Sequence, residues 1–270
     1  MTAPDTYVLR RGRMRIHNPY YTRPLNIFLL CFAAAGALSM AFMPMDWAKV
    51  FSRVGGLGEI LSRLATVSLN NIDVTLRAFA ESVWVAVLST VYSALLGLVF
   101  GALTARNISP IKPLAPILSA VFTFIRAVPT FIWVLLIIVC LGLGPAPAIA
   151  GVCVHSTAFF ARSFAQAFEE ADGGVLDALA ATGSNSAKVF FTAVFPSTLT
   201  SVTAWLTLRF EINFRESYIL GMVGAGGIGY TLSSYFRGYH YGEGMTAVII
   251  IVAFTYLTEL LANRLKKKLQ

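Results

Sequence analysis

The run Phe79–Thr104, FAESVWVAVLSTVYSALLGLVFGALT, contains a single charged residue, Glu81. About 20 apolar residues suffice for an α-helix to cross the hydrocarbon of a bilayer, so the run reads as a transmembrane helix. Working outward, comparable runs lie near Leu25–Met43, Leu114–Leu143, Ala146–Phe168, Ser197–Val223 and Met245–Ala262. About six spans are expected from them. A mean hydropathy of +0.71, with 57% hydrophobic and 13% charged residues, leaves too little polar surface for a soluble protein of 270 residues. The fold class is therefore all-α, a polytopic membrane protein.

Orientation follows from the basic residues. Arg10, Arg11, Arg13, Arg15 and Arg23 precede the first span, and Arg264, Lys266, Lys267 and Lys268 follow the last. By the positive-inside rule both termini are expected in the cytoplasm. With an even number of spans, the connection holding Arg106, Lys112 and Pro113 and the stretch from Glu169 to Pro196 are cytoplasmic too. The expected division is a cytoplasmic segment 1–24, a first helix 25–44, an extracytoplasmic segment 45–78, a core of five helices 79–263 with a cytoplasmic loop 169–196, and a basic tail 264–270. The first run is longer than a cleavable signal's apolar region and ends without a small-x-small site, so it reads as a retained signal anchor. The net charge of +8 reports topology, and no basic run interleaved with aromatics suggests nucleic-acid binding.

Several chemistries find no residues to carry them. Cys31, Cys140 and Cys153 all sit within expected spans without C-x-x-C spacing, and His17, His155 and His240 do not complete a ligand set, so no metal site is expected. His155, beside Ser156 and Thr157, reads either as a proton relay or as a histidine hydrogen-bonded to a neighbouring helix. Gly224, Gly226 and Gly229 satisfy G-x-G-x-x-G, with Glu243 nineteen positions after Gly224. A dinucleotide fold needs a β-strand before such glycines, whereas a long helical span precedes these. The dipeptide Gly-Lys does not occur, so there is no phosphate-cradling loop for ATP. A membrane-embedded lipid-phosphate enzyme would need a cluster of His, Asp or Ser at one interface, and a secondary transporter would show inverted repeats; neither feature is visible.

Local features predict packing. Gly97 and Gly101 form G-x-x-x-G on one face of the second span, allowing another backbone to approach. Pro129 interrupts the third span just after Arg126, so a kink or a break is expected there. The fifth span carries Arg209, Glu211, Arg215 and Glu216, costly in hydrocarbon at about 2.5–3.5 kcal/mol each. At helical spacing Arg209 shares a face with Glu216, and Glu211 with Arg215. Mutual pairing is one reading. The other is that Arg126, Arg209 or Arg215 keeps donors for an anion, with Arg126, Arg209, Glu211 and Arg215 lining a path.

The loop Asp177–Pro196, DALAATGSNSAKVFFTAVFP, combines a small-residue helix (Ala178, Ala180, Ala181), Gly183 at a reversal and Pro196 as the expected start of the next span. Its pattern resembles the loop by which bacterial ABC importer permeases dock their ATPase, with Asp177, Ala178, Gly183 and Pro196 at corresponding positions. The leading Glu-Ala-Ala appears as Asp177, Ala178, Leu179, and the I-x-L before the proline as Ala193, Val194, Phe195. Arg209–Leu232, RFEINFRESYILGMVGAGGIGYTL, and HSTAFFARSF resemble permeases that import phosphonates and related phosphorus oxyanions. The resemblance runs from about Phe79 to the C-terminus. It implies a type I importer, methionine-permease-like fold and a bacterial inner-membrane location. It also implies ATPase coupling through Asp177, Ala178, Ala180, Ala181, Thr182, Gly183 and Ser184, and an extracytoplasmic turn at Gly224, Gly226, Gly227 and Gly229 that faces a phosphonate-binding protein. The implied partners are a pair of ABC ATPases carrying ATP and Mg, and a second permease, either a copy or a sister chain, in the surrounding lipid. No cofactor is expected on this chain.

Overall fold

A computed structural model describes residues 8–10, 13–15, 19–43 and 46–269. Arg11, in the expected N-terminal segment, and Pro44, at the end of the expected first helix, lie outside the described residues. The chain divides into a unit ending at Ile60 and a unit beginning at Leu61. The first unit holds two antiparallel three-residue strands, β1 (Val8–Arg10) against β2 (Arg13–Arg15), then α1 (Pro19–Phe42) and α2 (Trp47–Val54). The described side chains of α1 are exposed along its length, as suits a helix seated in lipid. Asp46 caps α2 by accepting from the Lys49 N–H at 3.1 Å.

After α3 (Leu57–Leu64), the second unit is organised by α4 (Ile72–Thr104) and α7 (Pro145–Glu169). At 33 residues α4 is about 50 Å long, and its first turns, Ile72–Ala78, begin inside what was expected to be extracytoplasmic chain. Its buried face is built of small residues, among them Ser82, Ala86, Ser89, Ser93, Gly97 and Gly101. The hydroxyls do not stay unpaired in this apolar setting: Ser89 donates to the Val85 carbonyl at 2.7 Å and Thr90 to that of Ala86 at 2.7 Å. Gly97 lies directly against Phe160, and Gly101 against Phe164. The expected glycine seam is thus a contact with α7, where a β-carbon on either glycine would collide with a phenylalanine.

Along this seam the numbers on both helices rise together. Cys153 donates to the Ser89 carbonyl at 3.5 Å, Gly97 meets Phe160, and the Arg106 N–H donates to Glu169 at 2.8 Å. Because α4 and α7 run parallel, the chain between them has to return across the membrane. It does so through α5 (Leu114–Ala127) and α6 (Thr130–Leu141), bent by 87°. The residue before a proline avoids helical geometry and the proline lacks an N–H, which explains extended Val128 and the break at Pro129. Among the described residues five continuous helices are long and apolar enough to cross, and this broken pair makes the sixth crossing.

α7 leads through α8 (Gly173–Ala181) and α9 (Ser186–Val189) into α10 (Phe195–Leu220). The expectation that Pro196 starts the span is corrected here, since helical structure runs unbroken from Ser186. A π-helical turn at Phe190–Val194 absorbs the proline: the Phe195 N–H reaches back to the Phe190 carbonyl. α10 runs antiparallel to α7, with Phe190 against Phe168 at one end (ring centroids 5.1 Å) and Trp205 against Phe159 further along (5.7 Å). α11 (Gly227–Arg237) descends α4, with Ile228 bonded to Ser82 and Tyr235 to Thr75, and α12 (Tyr241–Leu269) returns parallel to α4. The link holding Arg106 and Lys112, the α8–α9 loop and the end of α12 therefore share one end of this unit. The start of α4, Pro145 and the glycine-rich turn share the other.

Gly97→Val is expected to cost about 1–3 kcal/mol through overpacking against Phe160. Gly173→Ala, where a β-carbon meets nothing within 4 Å, is expected to change stability by no more than about 0.5 kcal/mol. Thermal unfolding in detergent checks both, and an unchanged Tm for Gly97→Val would count against the close seam.

Candidate functional site

Where α10 crosses α4 and α7, a polar network occupies the middle of the unit. Asn213 is fully buried; its amide donates to Thr90 Oγ1 at 2.9 Å and its carbonyl oxygen accepts from Ser156 at 2.9 Å. Arg209, 3% exposed, donates through Nε to Ser156 Oγ at 3.0 Å and through Nη2 to His155 Nδ1 at 3.0 Å. Arginine can only donate, so His155 Nδ1 accepts and the ring proton sits on Nε2. Of the two readings of His155, the structure realises the hydrogen bond to a neighbouring helix. Arg209 also lies 3.5 Å from Glu216, whose other carboxylate oxygen accepts from Thr130 at 3.1 Å. Thr130 opens α6 directly after the break, so the network ties the broken span to α10.

The two pairings expected on the fifth span both form: Arg209 with Glu216, and Arg215 with Glu211 one turn apart. They differ in setting. Arg209 is hydrogen-bonded inside the unit through Nε and Nη2 and ion-paired there with Glu216, whereas the Arg215 side chain keeps 46% of its exposure. Arg126 is exposed and lies 5.7 Å from the centre of the Phe159 ring, with Arg209 5.3 Å from the same ring. Phe159 thus joins the buried guanidinium to the exposed one through two cation–π contacts.

On the exposed side of Phe159 opens a cavity of about 480 Å³ with a mainly polar lining that includes Arg106, Arg126, Arg162, Ser119, Ser163 and Gln166. Arg162 donates to Ser119, and Glu169, the carboxylate in the lining, accepts from the Arg106 backbone. Arg162 lies within the quoted HSTAFFARSF stretch, yet no periodicity marks it or Arg106 as a neighbour of Arg126. Ser156, Asn213 and Thr130 also escaped sequence reasoning, because uncharged polar residues in a span give no signal until their partners are known.

The α8 knuckle is built in two faces. Leu176 and Leu179 pack onto the cluster of Phe160, Phe164, Phe168 and Val189, while Asp177, Ala178, Ala181, Thr182 and Gly183 are exposed. The side chain of Ala180 lies outside the described residues. Gly183 has φ +75°, the left-handed conformation that favours glycine, and Ser184 bonds to Thr182 at 3.0 Å across the reversal. At the other end of the unit, Gly224, Gly226 and Gly227 have φ values of +110°, +82° and +67°. The close approach these glycines permit is to this same chain: Gly224 meets Leu143, Gly226 meets Glu81, Gly227 meets Ser82, and Gly229 meets the Tyr218 carbonyl.

A model of the family described as "Binding-protein-dependent transport system inner membrane component" matches residues 97–270. The phosphate-import permease protein PhnE of Mycolicibacterium smegmatis is 34% identical over 187 residues, 69% of this chain and 35% of that protein. This chain therefore aligns with only about a third of that relative's length. The putative cryptic phosphonate transport system permease protein PhnE2 of Escherichia coli is 31% identical over 114 residues, 42% of this chain and 93% of that protein. Among solved structures, an inward-facing MetNI methionine ABC transporter superposes with a TM-score of 0.66 at 22% identity, covering 76% of this chain and 100% of the other. The expected type I, methionine-permease-like fold is the one observed.

Arg209→Met, which strands Glu216 beside the break, is expected to destabilise by about 3 kcal/mol or more. Arg209→Met with Glu216→Gln should recover part of that loss, because no uncompensated charge remains. A double-mutant cycle on detergent unfolding reads the coupling; additive effects would mean that the pair does not hold the break to α10.

Proposed function

The chain belongs to the family of binding-protein-dependent transport system inner membrane components, the permeases of ABC importers, and from that membership we propose that it serves an importer of phosphonates or related phosphorus oxyanions. The observation that carries the coupling assignment is the knuckle at α8. Leucines anchor it to the aromatic core of α7, and a small-residue surface ending at Gly183 is left bare. A partner ATPase that grips such a surface moves the core with it.

Charge supports the orientation. Arg106, Lys112, Lys188 and the basic tail share the end that carries the knuckle, and that end is cytoplasmic. By the same rule the basic N-terminal segment is assigned to the cytoplasm. The glycine-rich turn then faces outward, toward the solute-binding protein. Gly224, Gly226, Gly227 and Gly229 are taken up by contacts within the chain, so they shape the turn while its exposed neighbours Met222, Val223 and Tyr230 offer the surface. ATP and Mg belong to the ATPase chains, since this sequence lacks a phosphate-binding loop.

A second permease, copy or sister, completes the path. Arg126, Arg162 and Arg215 are exposed on helices α5, α7 and α10, and a guanidinium facing hydrocarbon costs about 2.5–3.5 kcal/mol on insertion scales. These faces therefore front a water-filled path between two subunits, with Arg126 and Arg215 along it, Glu211 paired to Arg215, and Arg209 held behind Phe159 within the unit. ATP binding closes the ATPases, the knuckles follow, and the path opens outward; hydrolysis separates them and the path opens inward. Each state is stabilised by contacts that the other lacks. The named relatives favour phosphorus oxyanions as cargo, with phosphate and phosphite as close alternatives to phosphonate.

Gly183→Trp keeps the interior intact, because a β-carbon there meets nothing within 4 Å, but it strains a φ of +75° and adds bulk to the docking surface. Membrane insertion is expected to be normal and transport-coupled ATPase activity lost in proteoliposomes. Unchanged uptake by that variant would remove the coupling role from this loop.

A further inference from the structure

Arg126, Arg162 and Arg106 follow one another along the cavity between α5, α7 and α10, from the break beside Phe159 to the end of α7. From Phe159 to Glu169 is about 15 Å along the helix. We propose that this cavity is a transit site for a tetrahedral phosphorus oxyanion, held between Arg126 and Arg162, with Arg106 at the mouth. The assignment of onward movement as import rests on the permease reading above; the anion site itself does not.

Three observations carry it. First, the cations lack counter-ions: none of the three arginines makes an ion pair among the described residues. Glu169, the lining carboxylate, is engaged by the Arg106 N–H. Three guanidinium groups against one carboxylate leave the cavity electropositive, and low-dielectric walls strengthen that field. Second, neutral donors accompany the charges. Ser119 lies in reach of Arg162, and Ser163 and Gln166 share the same lining, so an anion with several oxygens finds both planar forks and single donors. Third, the arginines here differ from Arg209. That residue donates to Ser156 and His155, pairs with Glu216 and is 3% exposed, whereas Arg126 and Arg162 are exposed and the Arg126 guanidinium lies over an aromatic face. Exposed guanidinium groups bind an oxyanion through partly hydrated contacts that release readily, as a path requires.

The same chemistry would suit the phosphate of a lipid headgroup, so the experiment separates the two sources. In the full chain, Cys31, Cys140 and Cys153 are replaced by serine and Gln166→Cys supplies one thiol on the cavity wall. Its modification by an anionic methanethiosulfonate is followed in phosphatidylethanolamine–phosphatidylglycerol vesicles and in lipid-free detergent. Methylphosphonate is expected to slow modification in both settings, while chloride at equal ionic strength does not. Arg126→Gln and Arg162→Gln are each expected to weaken that protection by about tenfold, with Arg126→Lys intermediate. Protection equal to that by chloride, protection indifferent to both arginine variants, or a thiol blocked in vesicles and freed only by removing lipid would each overturn the proposal. Methylphosphonate uptake by the reconstituted complex is read separately. Uptake without protection discards the site and leaves the permease; protection without uptake keeps the site and discards the importer reading.

Discussion

Close parallel packing of α4 on α7 is the constraint from which the rest of this molecule follows. A bilayer offers helices no hydrophobic incentive to associate, so the contact depends on backbones approaching closely, and Gly97 and Gly101 against Phe160 and Phe164 provide that approach. Parallel neighbours oblige the intervening chain to cross once, which makes α5 and α6 a single broken span despite the 87° bend. The same seam puts the α8 knuckle and the α4–α5 link at one end and the glycine-rich turn at the other. Sidedness thus arises from packing as well as from the basic residues.

The polar network is the second organising element. Thr90, Asn213, Ser156 and Arg209 form a continuous hydrogen-bonded chain across α4, α7 and α10, and Glu216 with Thr130 extends it to α6. Away from water each of these groups is costly alone and tolerable only when paired, so the set admits few arrangements of the helices. It also sorts the arginines. Arg209 is held within the unit, while Arg126, joined to it through Phe159, faces the open cavity.

Particular residues show how far sequence reasoning reaches. The break at Pro129 was legible because proline chemistry is local, as was the left-handed turn at Gly183. The pairings of Arg209 with Glu216 and Glu211 with Arg215 were legible because helical periodicity sets them. Pro196 misled for the opposite reason: a π-helical turn five residues long absorbed it, and no local rule says which prolines will be so accommodated. The close approach at Gly224–Gly229 was expected to serve a partner; its neighbours in the fold are Glu81, Ser82, Leu143 and Tyr218, far away in sequence except for the last.

By itself the sequence determined that this is a bundle of membrane-crossing helices with basic ends, which helix carries buried charge, and which loop bears the resemblance to a docking element. Those properties depend on composition and on spacing within a single helix or turn. Tertiary structure alone decided that α4 and α7 run parallel, that Ser156, Asn213 and Thr130 complete the surroundings of Arg209 and Glu216, and that Arg106, Arg126 and Arg162 line one cavity. The physical reason is that each of these depends on which helix faces meet, and facing is a property of the packed bundle that no single span encodes.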